Sequence, residues 1–347
     1  MKKRRVCDRQ LWLLAALSLA VFVLTFAVGR YAVRVDKTVG ILLDGALRKL
    51  SRGAWGLVQF WTDTEATIVL NVRLPRILAA ALVGAALSTA GVCYQGMFRN
   101  PMVSPDLLGA STGAGFGAAL AILCAAGYLA ITLSAFFFGL AAVLLAYLIS
   151  RKSRLEEALS MVLAGMMISS LFTAGTSFIK LVADTDNQLP AITYWLMGSL
   201  TSVRAQDVRF AALPILIGLI PLLLLRWRIN LLTLSDAEAR SMGVDTRRLR
   251  LVVIVCATLM TAASVAISGM IGWVGLVIPH FCRILFGYDY RRLLPGCVML
   301  GASFLMLVDT LARTLTTSEI PLGILTSFVG APVFLYLILK GGTDRAD

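Results

Sequence analysis

The sequence predicts an all-α, polytopic membrane protein with about ten transmembrane helices and both termini in the cytoplasm. Three observations carry that expectation. The 347 residues are 59% apolar and only 15% charged, with a mean hydropathy of +0.84, well above the composition of water-soluble domains. Apolar runs of about 20 residues, the length that crosses a bilayer as a helix, recur from end to end. Lysine and arginine number 32 against 19 acidic residues and gather mostly beside alternate runs. The basic excess therefore reads as a topology signal for a protein set in lipid, and nucleic acid is not expected as a partner.

The first run, Leu11 to Gly29, follows MKKRRVCDRQ. It is too long for a signal-peptide core and lacks an A-x-A cleavage site, so it is expected to remain as span one. An external segment covers 31–66. Its moderately apolar part, Gly40 to Trp61, carries Arg48, Lys49 and Arg52 and is expected on the membrane surface as short amphipathic helices. Span two, 67–97, contains RLPR at 73–76. Asn100-Pro101 is expected to end it, because a proline ring disfavours helical angles in the residue before it. Span three, 105–126, is expected to start with Ser104 as N-cap, Pro105 in the first turn and Asp106 at the positive end of the helix dipole. Its Gly109, Gly113 and Gly117 recur every four residues, a face that admits a neighbouring backbone.

Spans four to six are expected at 128–150, 156–181 and 205–226. The apolar piece Ala191 to Leu200 is too short to cross and should form a surface helix. Spans seven to ten follow at 249–269, 272–287, 293–313 and 321–340. With the N-terminus inside, Arg99, Arg151, Lys152, Arg226, Arg228, Arg247, Arg248, Arg291 and Arg292 all fall on the cytoplasmic side, as the positive-inside rule requires. The arginine-edged runs from Arg73 and Arg250 echo one another five spans apart. They would lie in opposite orientations, the arrangement of inverted-repeat transporters.

Between spans six and seven runs RWRINLLTLSDAEARSMGVDTRRLR. Ser235 and Glu238 have capping-box spacing and Gly243 supplies a stop, so Asp236 to Met242 should be a short isolated helix. So short a helix is marginal in water and needs a surface to pack against, either the membrane or a partner.

Sites for chemistry are scarce. The six cysteines, at 7, 93, 124, 256, 282 and 297, are scattered without a C-x-x-C, and the single histidine, His280, has no acidic or cysteine neighbours at ligand spacing. No metal site is expected. No lysine follows a glycine anywhere in the chain, which rules out the P-loop that cradles ATP phosphates. Asp309 can pair with Arg313 one turn later, near the outer end of span nine. Glu319 stands at a span edge, and a gradient-driven carrier would be expected to place more acids at mid-membrane.

Several motifs together resemble one family. RLPR (73–76), AGVCYQGMFRNPMVSPDLLGASTGAGFG (90–117), SDAEARSMGV (235–244), GWVGLVIPHFCRILFGYDYRRLLPG (272–296), DTLAR (309–313) and PLGILTSFVGAPVFLYLILK (321–340) are similar to the permease family of type II ABC importers for iron-siderophores, haem and cobalamin. The resemblance implies a single permease domain over 1–347, with the external segment at 31–66 and a cytoplasmic loop at 227–248, in the bacterial cytoplasmic (inner) membrane. It implies a second permease subunit, with two copies of this chain favoured over two different chains. Two cytoplasmic ATPase subunits and an extracytoplasmic substrate-binding protein complete the implied assembly. No cofactor would be bound by this chain, since ATP and Mg are used by the ATPase. Residue by residue, it implies binding-protein docking at Arg73, Arg76 and Arg313. A cytoplasmic gate is implied at Asn100 and Met102, opposed by Ala158 and Leu159. An ATPase coupling helix is implied over Ser235, Asp236, Ala237, Glu238, Ala239, Arg240, Ser241, Met242 and Gly243. The alternative is a stand-alone, ion-gradient-driven secondary transporter.

Overall fold

Every regular element is a helix among the described residues, which in this computed structural model are 2–29, 31, 33–50, 56 and 59–341. In chain order these are α1 (Lys2–Ala27), α2 (Val35–Leu50), α3 (Asp63–Thr67), a π-helical turn (Ile68–Arg73), α4 (Leu74–Met97), a 3-10 turn (Pro105–Leu108), α5 (Ala110–Leu123), α6 (Tyr128–Lys152), α7 (Glu157–Val182) and α8 (Gln188–Met197). There follow α9 (Ala205–Leu224), α10 (Arg226–Leu232), α11 (Asp236–Ser241), α12 (Thr246–Ser268), α13 (Val274–Phe286), α14 (Tyr290–Thr314) and α15 (Leu322–Gly341). Seven helical stretches are long and apolar enough to cross a bilayer, and α5, α13 and α15 are shorter apolar helices. Each expected span contains one of these. In the external segment α2 buries Ile41 and Asp44 against the rest of the chain; Arg52 and the side chain of Lys49 lie outside the described residues.

Helix α4 is the axis of the bundle. Nearly every residue from Pro75 to Met97 is buried, and α14, α12, α13 and α9 pack around it. Backbone meets backbone at two places. A Cβ on Gly84 would lie 2.2 Å from the Gly301 carbonyl oxygen, and one on Gly91 would lie 1.9 Å from that of Gly275. Only glycine permits approaches this close. Polar side chains in the packed zone return their hydrogen bonds to backbone. The Ser88 hydroxyl donates to the Cys297 carbonyl at 2.8 Å and Tyr290 to that of Val92 at 2.8 Å, as a medium without water demands.

The outer entry to α4 runs through Pro75 without breaking. Leu74 N–H donates to the Val69 carbonyl five residues back, a widened turn that accommodates the donor proline lacks. The inner exit differs from the expectation. α4 stops at Met97, before Asn100-Pro101, with Arg99 left-handed at φ 49°. Arg99 N–H reaches the Gly96 carbonyl and Asn100 N–H the Gln95 carbonyl, the two bonds of a Schellman stop. Span three is also rebuilt. Ser104 makes no side-chain cap; a 3-10 turn intervenes, Gly109 turns left-handed at φ 89°, and α5 starts only at Ala110. Gly109 is thus a hinge outside the helical face, whereas Gly113 and Gly117 lie against α6, where added Cβ atoms would meet Phe138 O at 2.5 Å and Ser134 O at 2.6 Å.

Gly91→Ala should lower stability by about 1–3 kcal/mol, because the methyl must push α13 away. Gly127→Ala, where nothing lies within 4 Å, should be near neutral. Thermal unfolding of the two variants in detergent measures the contrast.

Candidate functional site

The outer end of α4 carries two arginines that turn inward. Arg76 Nε donates to both Asp309 carboxylate oxygens, at 2.9 and 3.1 Å, and Arg76 Nη1 lies 2.8 Å from Glu319 Oε2. Glu319 in turn accepts the Thr201 hydroxyl at 2.6 Å. Arg73 donates to the carbonyls of Phe26 and Tyr31, and Arg313 to that of Thr25 at 2.7 Å. The expected pairing of Asp309 with Arg313 is present, and a second, closer partner joins it. Arg76 is the nearer partner and Arg313 Nε stands 3.6 Å from Asp309 Oδ2, because α4 and α14 pack closely enough for a cross-helix pair to form beside the intrahelical one. Arg73, Arg76 and Arg313 are 4%, 8% and 7% exposed. Their guanidinium groups join α1, α4, α14 and the α14–α15 connection, so the expected outward presentation of these three side chains does not match their placement.

At membrane depth, α7 differs from α9. The exposed mid-helix positions of α9 are Leu213, Leu216, Ile217 and Ile220, as befits a lipid-facing surface. α7 exposes Met166, Met167 and Leu171 together with Ser170, Thr173 and Ser177. The Ser170 and Ser177 hydroxyls donate back to Met166 and Thr173 carbonyls at 3.0 Å each, which leaves their lone pairs available on the open face. The sequence signal for this face, polar residues three and four apart inside SSLFTAGTS, is absent from the expectations above. An open cavity of about 710 Å³, lined in part by Met197, Met270, Trp273, Ile324 and Phe328, lies where the end of α8, the α12–α13 connection and α15 converge.

At the inner end, the turn after α4 holds both Asn100 and Met102 in the open. Asn100 Oδ1 accepts the Met102 amide at 2.9 Å, an Asx turn. Buried Gln95 anchors this turn by donating to the Val103 carbonyl at 3.2 Å, and Arg283 donates to Gln95 Oε1 at 2.5 Å. Ala158 and Leu159 begin α7; Ala158 is half-buried and Leu159 is exposed. In the loop, Ser235 and Glu238 form a reciprocal capping box, and Gly243 is left-handed at φ 77°. α11 ends at Ser241 and is not isolated: Ala239 is fully buried, and Asp236 pairs with Arg99 and Arg250. Ala237, Arg240, Ser241 and Met242 face outward.

Hydrogen bonds from the Ser235 side chain, then from its amide, hold the Glu238 carboxyl below the ordinary glutamate range. A depressed carboxyl contributes its full stabilisation at neutral pH and loses it as the pH falls through the lowered value. Amide exchange at Glu238, corrected for intrinsic rate, should be level from about pH 8 to about pH 6 and accelerate below about pH 4. At the outer end, Arg76→Ala should cost about 3–5 kcal/mol by stranding Asp309. In a thermal-unfolding cycle with Asp309→Ala, the double variant should lose about 1–3 kcal/mol less than the two singles together.

Residues 16–340 match the FecCD transport family. The chain is 38% identical over 326 residues to the molybdate import system permease protein MolB of Haemophilus influenzae, covering 93% of this chain and 94% of that one. It is 39% identical over 309 residues to the hemin transport system permease protein HmuU of Yersinia pestis, covering 87% and 91%. A solved structure of a metal-chelate type ABC transporter in an inward-facing conformation superposes with a TM-score of 0.85 at 38% identity, covering 96% of this chain and 99% of the other. With its apolar helices, its buried α4 axis and this breadth of similarity, the chain belongs to the FecCD transport family and is a multi-pass membrane permease of the ABC-transporter kind.

Proposed function

We propose that this chain is the membrane-spanning subunit of an ATP-driven importer that carries a metal chelate, of the iron-siderophore, haem or cobalamin type, into the cytoplasm. The observation that carries the ATP-driven reading is α11. It is a capped helix of six residues, fixed from behind by Ala239 and Asp236, that offers Ala237, Arg240 and Met242 to the cytoplasm from a chain whose sequence holds no P-loop. Such a helix is suited to enter a cleft on a separate ATPase subunit, which would bind ATP and Mg; this chain needs no cofactor of its own.

The exposed serine and threonine face of α7 supports a second copy of the permease as partner. Hydroxyls turned toward lipid gain nothing, whereas a polar path between two subunits would use them. A binding protein delivering cargo at the outer face completes the assembly. The names of the relatives support the chelate class, with hemin and metal-chelate transporters among them, and the Haemophilus relative named for molybdate import adds a metal oxyanion as a cargo to test beside the chelates.

The chain, purified with its ATPase subunit and reconstituted in vesicles with its binding protein, should take up haem, a ferric siderophore, cobalamin or molybdate only with hydrolysable ATP inside. Uptake that survives without hydrolysis, or that an uncoupler abolishes while ATP is clamped, would establish a gradient-driven carrier instead. Ala237→Asp should reduce uptake at least about tenfold with little change in thermal stability, since the side chain is exposed. Ala239 is unsuitable for that test because burial there couples any substitution to folding.

A further inference from the structure

A chain of charges at the cytoplasmic face connects α11 with the turn after α4 and with the start of α7, the two elements that carry the expected gate residues. Asp236, the first residue of α11, takes Arg99 Nη2 at 3.1 Å and Arg250 Nη2 at 2.7 Å. Arg99 belongs to the turn that presents Asn100 and Met102, and its Nε also donates to the Leu232 carbonyl at 3.2 Å. Arg250, on α12, extends its other nitrogen to Glu157 Oε2 at 3.0 Å. Glu157 is the first residue of α7, immediately before Ala158 and Leu159.

Two features set this chain of contacts apart from ordinary surface pairing. Arg99 occupies the left-handed backbone region that side-chain-bearing residues seldom adopt, at φ 49°, and its guanidinium is what the neighbouring elements hold. Arg250 is only 11% exposed in its side chain while both its acidic partners are about half exposed, so a largely buried cation stands between two carboxylates on separate helices. Beside it lies a small cavity of about 20 Å³, lined in part by Met97, Phe98, Glu157, Ala158, Met161 and Arg250. The void is about the size of one water molecule, so the start of α7 meets α4 across a small gap and is tied to its surroundings through the ion pair of Glu157 with Arg250.

We propose that Asp236, Arg250 and Glu157, with Arg99 as a side branch, form a positioning relay that transmits displacement of α11 to the inner ends of α7 and α4. The inference rests on the ATP-driven reading above. Displacement of α11 moves the Asp236 carboxylate, which draws Arg99 and the Met102 turn with it and changes the hold of Arg250 on Glu157. The turn after α4 and the start of α7 then respond to one input, the first directly through Arg99 and the second through Arg250.

The test uses the assembled transporter with its ATPase subunit in inside-out vesicles. Met102→Cys is introduced with Cys7 and Cys124 replaced by serine, and its rate of labelling by a membrane-impermeant maleimide is read with and without trapping by ATP and vanadate. In the parent, trapping should change the rate by at least about fivefold, the lower end of ordinary coupling between sites. Glu157→Gln should reduce that change to less than about twofold while hydrolysis and thermal stability stay close to the parent. Arg248→Gln, whose ion pair with Asp245 stays within the start of α12, should keep the full change. An undiminished response in Glu157→Gln, or an equal loss in Arg248→Gln, would overturn the relay alone. A parent that associates with no ATPase and shows no nucleotide response would overturn the functional reading and the relay with it.

Discussion

Direct backbone contact along α4 is the constraint on which the remaining structure depends. With glycine at 84 and 91 facing glycine at 301 and 275, α4 can be enclosed by four helices and still bring its two ends to opposite membrane faces. In lipid there is little hydrophobic gain from pressing helices together, so dispersion between close backbones and internal hydrogen bonds must hold them. Larger residues at those crossings would separate α4 from α13 and α14 and open the ion pair of Arg76 with Asp309, which needs the same short interhelical distance.

The two ends of α4 use charge in different ways. At the outer end, Arg76, Asp309 and Arg313 are buried and bonded to one another or to carbonyls, where removing one partner is costly and the intact set contributes mainly specificity. At the inner end, Arg99, Asp236 and Glu157 are half in water, where each pair is weak and screened by salt. Strong bonds suit a joint that stays closed, and weak ones suit contacts that rearrange during a cycle.

Much of this was legible in the sequence because hydropathy and arginine placement act at the scale of whole spans. The ten apolar runs, the capping box at Ser235 and Glu238 and the stop at Gly243 follow from local chemistry. What escaped depends on neighbours far along the chain. Asp309 has an arginine one turn away, yet its nearer partner is 233 positions distant. Arg73, Arg76 and Arg313 carry charges that sequence alone places outside, but close packing folds them inward. Asn100-Pro101 looked like the helix stop, whereas Arg99 takes the left-handed position that glycine usually fills, supported by groups on α10 and α11 that no local pattern announces.

The crossings along α4 also divide the molecule by stiffness. α4, α13 and α14 share backbone contacts and behave as one slab, roughly 36 Å thick along α4 by its 24 residues at 1.5 Å rise each. α7 packs chiefly on α5, α6 and the 3-10 turn, and its first residue is tied by an ion pair to Arg250 of α12, with a small void between it and the inner end of α4. Few contacts thus cross between α7 and the slab, and the left-handed Gly109 sits where that flank is attached. A bundle built this way has a sparsely packed line along which bending would cost least, much as a folded sheet bends at its crease.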